Sequence, residues 1–191
     1  MPQYAVFIDR DGTINYDSGY LGNPDEVKLL DGVAESIAFL KEQFQFLVIV
    51  ISNQSGVARK LISEDDVKAV NEKINSLLAE YNTKIDAFYY CPYHPDFSPV
   101  EKAICRKPSP KMIFDAAKDW TIDLNHSYMI GDTLADVECG INAGVKTILV
   151  KNNYETEEII SLKKQGKCPN FVASNIKEAC RFIAEDYRRK T

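Results

Sequence analysis

No apolar run in the 191-residue chain approaches the roughly 20 residues a bilayer-spanning helix needs. Positive charge is not in excess either. Against 23 Lys and Arg stand 28 Asp and Glu, a net charge of −5. A general binder of nucleic acid or of an anionic membrane surface needs the opposite balance, so neither partner is expected. The first residues lack the basic-then-apolar layout of a secretion signal, which predicts a cytoplasmic protein. The five cysteines are an odd number. In a reducing compartment they are expected to be thiols or ligands rather than disulfides. Repeats, low-complexity tracts and linkers are missing too, and the length fits one domain over 1–191 with a full hydrophobic core. With no obvious apolar surface stripe, that domain is expected to be a monomer.

What is present is a regular alternation. Short apolar runs predict strands at Tyr4–Ile8, Phe46–Ile51, Ala87–Tyr90, Ser127–Ile130, Lys146–Val150 and Phe171–Ala173. The second is apolar at every position, the pattern of a central parallel strand covered on both faces. Between the runs lie helical stripes: Val33, Ile37 and Leu40; then Val67, Val70, Ile74, Leu77, Leu78 and Tyr81; finally Ile176, Ala179, Cys180 and Ile183. Ser63 and Asp66 resemble a helix start, although a capping box usually carries Glu or Gln at the second position. The alternation predicts a three-layer α/β domain with a mainly parallel sheet, whose ligands bind beyond the carboxyl ends of the strands. Two long segments, Asn15–Leu30 and Pro92–Pro108, read as loops of the kind that carry function.

The chemistry sits at those strand ends. The first strand runs into Asp9, with Asp11 two residues on. The second ends in Ser52-Asn53, and the fourth in Gly131-Asp132, with Asp136 four residues later. Arg106-Lys107-Pro108 lies between them in sequence. Carboxylates crowded into one crevice repel each other, and burial makes this worse. A hard cation such as Mg²⁺ relieves it, because Mg²⁺ takes carboxylate, water and phosphate oxygens. Beside a metal-bound phosphate, one carboxylate can attack phosphorus and a second can protonate the leaving alcohol. Lys107 and the Ser52 hydroxyl can hold the phosphoryl oxygens.

"FIDRDGTIN", Ser52, "RKP" and "IGDTLADV" resemble, in this order, the four signature motifs of the haloacid dehalogenase-like (HAD) phosphatases. The resemblance implies a Rossmann-like core, Mg²⁺ and a phosphoaspartate intermediate. It makes Asp9 the nucleophile and a metal ligand. Asp11 becomes the general acid/base, with its backbone carbonyl on the metal. Asp132 completes the metal site, Ser52 and Lys107 bind phosphate, and Asp136 orients its loop. "DRDGTIN", "GYL", "SNQSGVAR" and "CPYHP…CRKPSPKM" look like the D-glycero-D-manno-heptose 1,7-bisphosphate 7-phosphatases. The related histidinol-phosphate phosphatases typically carry Asp at the position of Ser55. The narrower resemblance implies that Asn53 and Arg106 position a phosphosugar substrate, and that the domain is capless, with specificity set by its loops. Histidinol phosphate or another small sugar phosphate is the alternative substrate. A nucleic-acid 3′-phosphatase or a non-catalytic phosphosugar-binding protein is the alternative of another class.

Two departures stand out. Both groups usually carry a zinc loop, Cys-x-His…Cys-x-Cys. Here Cys91 and Cys105 keep two ligand positions, while Tyr93 and Ala103 occupy the others and His94 falls one residue late. Structural zinc sites are almost always four-coordinate. The expectation is therefore a zinc-free loop held by packing of Pro92, Tyr93, Pro95 and Phe97. Second, Thr133 stands where many heptose phosphatases have Lys.

Overall fold

The structure, a computed structural model, describes residues 3–151 and 157–189. Its centre is a six-stranded sheet, every pair parallel, in the order β3-β2-β1-β4-β5-β6. The strands are β1 (Ala5–Ile8), β2 (Leu47–Asn53), β3 (Ala87–Cys91), β4 (Tyr128–Gly131), β5 (Lys146–Val150) and β6 (Phe171–Ala173). The helices are α1 (Val33–Phe44), α2 (Ser55–Ala58), α3 (Glu64–Ala79), α4 (Lys111–Trp120), α5 (Leu134–Ala143), α6 (Glu157–Lys164) and α7 (Ile176–Arg188). The predicted α/β class and strand positions are borne out.

The pleat sends alternate residues to opposite faces. Val6, Ile8, Val48, Val50 and Ile130 pack on one side against Val33, Ile37, Val70, Ile74 and Ile183 of α1, α3 and α7. Ala5, Phe7, Ile49, Ile51 and Met129 pack on the other against Met112, Ile113 and Cys139 of α4 and α5. That is why β2 is apolar throughout: both its faces are inside.

Two strands run further than their apolar residues. Ser52 and Asn53 extend β2 because they pair with Tyr90 and Cys91 of β3, and Gly131 extends β4 by pairing with Leu149. At α3 the short Asp side chain closes the capping box. Ser63 N–H donates to Asp66 Oδ2 at 2.7 Å, and Asp66 N–H donates to Ser63 Oγ at 3.1 Å.

One expectation about the cysteines is corrected. Cys91 and Cys105 form a disulfide. The end of β3 and the turn that follows the Pro92 loop bring their Cα atoms to 5.5 Å, a normal span for such a bridge. Joined in this way they offer no thiolate to a metal. His94 faces elsewhere: its Nδ1 accepts the Asp96 N–H at 3.2 Å and its ring lies 5.5 Å from Phe97. Cys139 and Cys180 are buried thiols, and Cys168 is exposed.

Candidate active site

The chain lays β2 and β3 on one side of β1, then crosses to lay β4, β5 and β6 on the other. The crevice beyond β1 is therefore the switch point where ligands of open α/β sheets bind. Register places Ile8 opposite Val50 on one side and Ile130 on the other. Asp9 follows Ile8 and is held in line by its N–H, which donates to Ile130 O at 2.9 Å. Oxygen atoms of Asp9, Asp132 and Asp136 lie within 4.8 Å of one another. Two glycines permit this crowding. A Cβ at Gly131 would fall 2.3 Å from the Asp136 side chain. At Gly12, where φ is +83°, a Cβ would fall 2.5 Å from Asp132 Oδ2.

Lys107 enters from the other side. Its Nζ lies 2.6 Å from Asp9 Oδ1, 2.6 Å from Asp136 Oδ1 and 2.8 Å from Ile51 O. Only 4% of the residue is exposed. Its backbone is clamped by one side chain: Lys107 N–H donates to Asn53 Oδ1 at 2.9 Å, and Asn53 Nδ2 donates to Lys107 O at 3.3 Å. The Asn53 amide thus holds the backbone of the lysine that faces Asp9. Asp136 links this lysine to α5, because its Oδ2 accepts both Thr133 N–H at 3.0 Å and Thr133 Oγ1–H at 2.6 Å. Thr133, the second departure noted from the sequence, is part of a helix start.

The electrostatics follow from burial. Desolvation, opposed by Lys107 and reinforced by Asp136 and Asp132, pushes the Asp9 carboxyl up to about 8. Burial and then Asp136 push Asp132 up to about 6. Burial acts to discharge Lys107, but Asp136 and Asp9 outweigh it and hold the ammonium well above its ordinary value. One buried cation among three carboxylates leaves negative charge in excess.

Asp11 is arranged differently. Its carboxylate faces Arg10, whose Nη2 donates to Oδ2 at 3.0 Å, and it also accepts from Asn15 Nδ2 at 3.0 Å and Gln54 Nε2 at 2.8 Å. Ser52 lies buried at the end of β2, and its Oγ accepts from the same Gln54 Nε2 at 2.6 Å. Arg10 and Gln54 are site residues that sequence reasoning passed over. Arg59 is another. Its guanidinium lies 4.3 Å from the Phe97 ring centre and 5.9 Å from that of Tyr20. Burial and then repulsion from Arg59 hold the Arg106 guanidinium below its ordinary pKa. Arg59 Nε and Arg106 Nη1 are both buried without a hydrogen-bond partner. On the Asp132 side a cleft of ≈ 540 Å³ opens, lined by Thr13, Tyr16, Asp31, Lys151 and Asn175 among others.

The comparisons bear on this constellation directly. A family model described as HAD-hydrolase-like matches residues 104–179. The D-glycero-D-manno-heptose-1,7-bisphosphate 7-phosphatase of Chlorobaculum tepidum is 42% identical over 92% of this chain and 91% of its own length. The chain belongs to the HAD-like phosphatases. A second member, the D-glycero-beta-D-manno-heptose-1,7-bisphosphate 7-phosphatase of Escherichia coli (strain K12), is 40% identical over 77% of this chain and 78% of its own. Among solved HAD-like structures, the D,D-heptose 1,7-bisphosphate phosphatase from B. bronchiseptica, complexed with magnesium and phosphate, superposes with a TM-score of 0.80 at 30% identity. The match covers 96% of this chain and 99% of that one.

The donor set of this HAD-like site fits a hard divalent cation. Three carboxylates share one crevice with their oxygens within 4.8 Å, and two of them are pushed toward protonation despite the nearby Lys107.

Proposed function

We propose that this single-domain HAD-like phosphatase removes the 7-phosphate of D-glycero-D-manno-heptose 1,7-bisphosphate with Mg²⁺ as cofactor. The observation that carries the chemistry is the contact of Asp9 with Lys107 at 2.6 Å. A cation there can hold a phosphoryl oxygen next to the carboxylate that attacks. Asp9 and Asp132 would hold Mg²⁺ with the backbone carbonyl of Asp11. When bound, the ion supplies charge neutralisation between Asp9 and the phosphoryl oxygens.

The steps assigned to the protein are then as follows. An Asp9 oxygen bonds to phosphorus and the bond from phosphorus to the sugar oxygen breaks. Asp11, protonated when the substrate is bound, gives its proton to that oxygen as it leaves. Lys107 and the Ser52 hydroxyl hold the charge that builds on the equatorial oxygens. Water, losing a proton to Asp11, then attacks the aspartyl-phosphate, releasing phosphate and restoring the Asp9 carboxylate.

The named activity of relatives about 40% identical supports the heptose substrate. So does the pair of guanidinium groups, Arg59 and Arg106. Each keeps a buried donor unpaired, which is costly unless an anion takes it up. A second phosphate on the sugar is such an anion.

Phosphate release with Mg²⁺ tests the reading, using both anomers of the heptose bisphosphate beside histidinol phosphate, with Asp9→Asn as control. The expected result is a strong heptose preference that Asp9→Asn abolishes. Flat, weak turnover across the panel would remove the substrate assignment, and turnover surviving in Asp9→Asn would remove the nucleophile.

A further inference from the structure

We propose that Arg10 is the positioning residue of the general acid Asp11. The inference rests on the reading of Asp11 as general acid.

Arg10 is only 1% exposed, although it sits between two carboxylates at the edge of an open crevice. A buried arginine is rare unless its fork is fully used. Here the fork is pinned at three points. Nε donates to both Asp11 oxygens at 3.2 Å. Nη2 donates to Asp11 Oδ2 at 3.0 Å and to Gln54 Oε1 at 3.0 Å. Nη1 donates to Asn71 Oδ1 at 3.1 Å. Asn71 is buried on α3 beside Val67, Val70 and Ile74, in the middle of an apolar stripe. A polar side chain there is expensive without a partner, and the Arg10 guanidinium is one. Three separate parts of the chain, the loop after β1, the loop after β2 and α3, therefore converge on one cation that grips Asp11.

Gln54 adds to the grip on Asp11. Its oxygen accepts from Arg10, so its nitrogen is the donor, and that nitrogen serves both Asp11 Oδ2 and Ser52 Oγ. With its lone pair used by Gln54, the Ser52 hydroxyl has its own hydrogen free to donate to a phosphoryl oxygen. Gln54 thus steadies Asp11 from a second side. A displacement of about 1 Å in such a group costs about 10²-fold in rate.

A purely structural role for Arg10 makes a different prediction, which leaving-group dependence exposes. An alkoxide needs a proton as it departs, whereas 4-nitrophenolate leaves without one. The quantity to measure is kcat/KM, which reports phosphoryl transfer to Asp9. It is measured with Mg²⁺ on the heptose bisphosphate and on 4-nitrophenyl phosphate. For Arg10→Lys the alkyl ester should lose about 10²-fold, the range of general acid catalysis, while the aryl ester should stay within about threefold. Asn71→Ala keeps the ion pair and frees only the far end of the fork. It should show the same selectivity at about 5- to 10-fold, and it carries the test should Arg10→Lys not fold. Asp11→Asn is the reference. If Asp11→Asn discriminates between the esters and the Arg10 and Asn71 variants lose both equally, or lose nothing, positioning by Arg10 is wrong. If Asp11→Asn itself does not discriminate, the acid assignment falls and this proposal with it.

Discussion

Replacing Lys107 by Met tests the charge arrangement of the crevice most directly. The side chain is replaced by one of similar length without its charge. Three contacts vanish together: those to Asp9, Asp136 and Ile51 O. The carboxylates that remain are buried and face one another. Removing one partner of a buried ion pair costs about 3–5 kcal/mol, mostly from the charge left behind. For a chain of 150–250 residues each kcal/mol moves Tm by about 2–4 °C, so the drop in EDTA should be roughly 6–20 °C. Mg²⁺ at millimolar concentration should then raise Tm more in Lys107→Met than in the parent, because the ion replaces the missing charge. Differential scanning fluorimetry with and without Mg²⁺ reads both numbers. Turnover should fall at least about 10²-fold, as for loss of a transition-state charge donor. Equal Tm in EDTA, or an equal Mg²⁺ increment in both proteins, would refute the reasoning that Lys107 neutralises this cluster.

Three further outcomes are expected. With its Asp9 carboxyl raised to about 8 from an unfolded value of 3.8, the metal-free protein binds more protons folded than unfolded between those limits. Its stability in EDTA should therefore fall as pH rises from 5 to 8, by up to about 1.4 kcal/mol per unit. Mg²⁺ should flatten that slope, and urea melts across the range check both. Gly12→Ala combines a φ of +83° with a Cβ 2.5 Å from Asp132 Oδ2. It should cost about 1–2 kcal/mol from the backbone alone and weaken Mg²⁺ binding, measured by Mg²⁺-dependent activity. Thiol alkylation of the native, non-reduced protein should label exposed Cys168 fast. Cys139 and Cys180, buried and each raised to about 12 by desolvation, should stay unlabelled until unfolding. Mass spectrometry of the labelled peptides decides it.

The strand ends were legible because burial writes itself into sequence. β1, β2 and β4 lie inside and must be apolar, so the first polar residue after each marks the crevice. That logic locates Asp9, Ser52 and Asp132, and with them the fold. What stayed hidden depends on partners far apart in the chain. Arg10 looks like a spacer between two acids until Gln54 and Asn71, 44 and 61 residues away, are seen to take its donors. Its one local sign is Asn71 itself, a polar residue flanked at helical spacing by Val67, Val70 and Ile74. Asn53 was legible as polar, but its clamp on the Lys107 peptide was not, since only the fold brings the two together. The Cys91–Cys105 bridge was hidden for the same reason. Sequence spacing gives no distance between a strand end and a turn 14 residues later.

The burial of Arg10 has a consequence for how such a protein can change over time. An enzyme whose acid is a free surface carboxylate can lose that acid and persist as a silent binder of its old ligand. Here the acid of the proposed mechanism, Asp11, is also the counter-ion of a guanidinium that is 1% exposed. Replacing Asp11 with an apolar residue strands that charge inside the protein, and the fold suffers along with the chemistry. Selection for a folded chain therefore preserves Asp11 even where turnover brings no advantage. Loss of activity by drift should begin elsewhere, at positions such as Ser52 or Arg106, which no buried charge depends on.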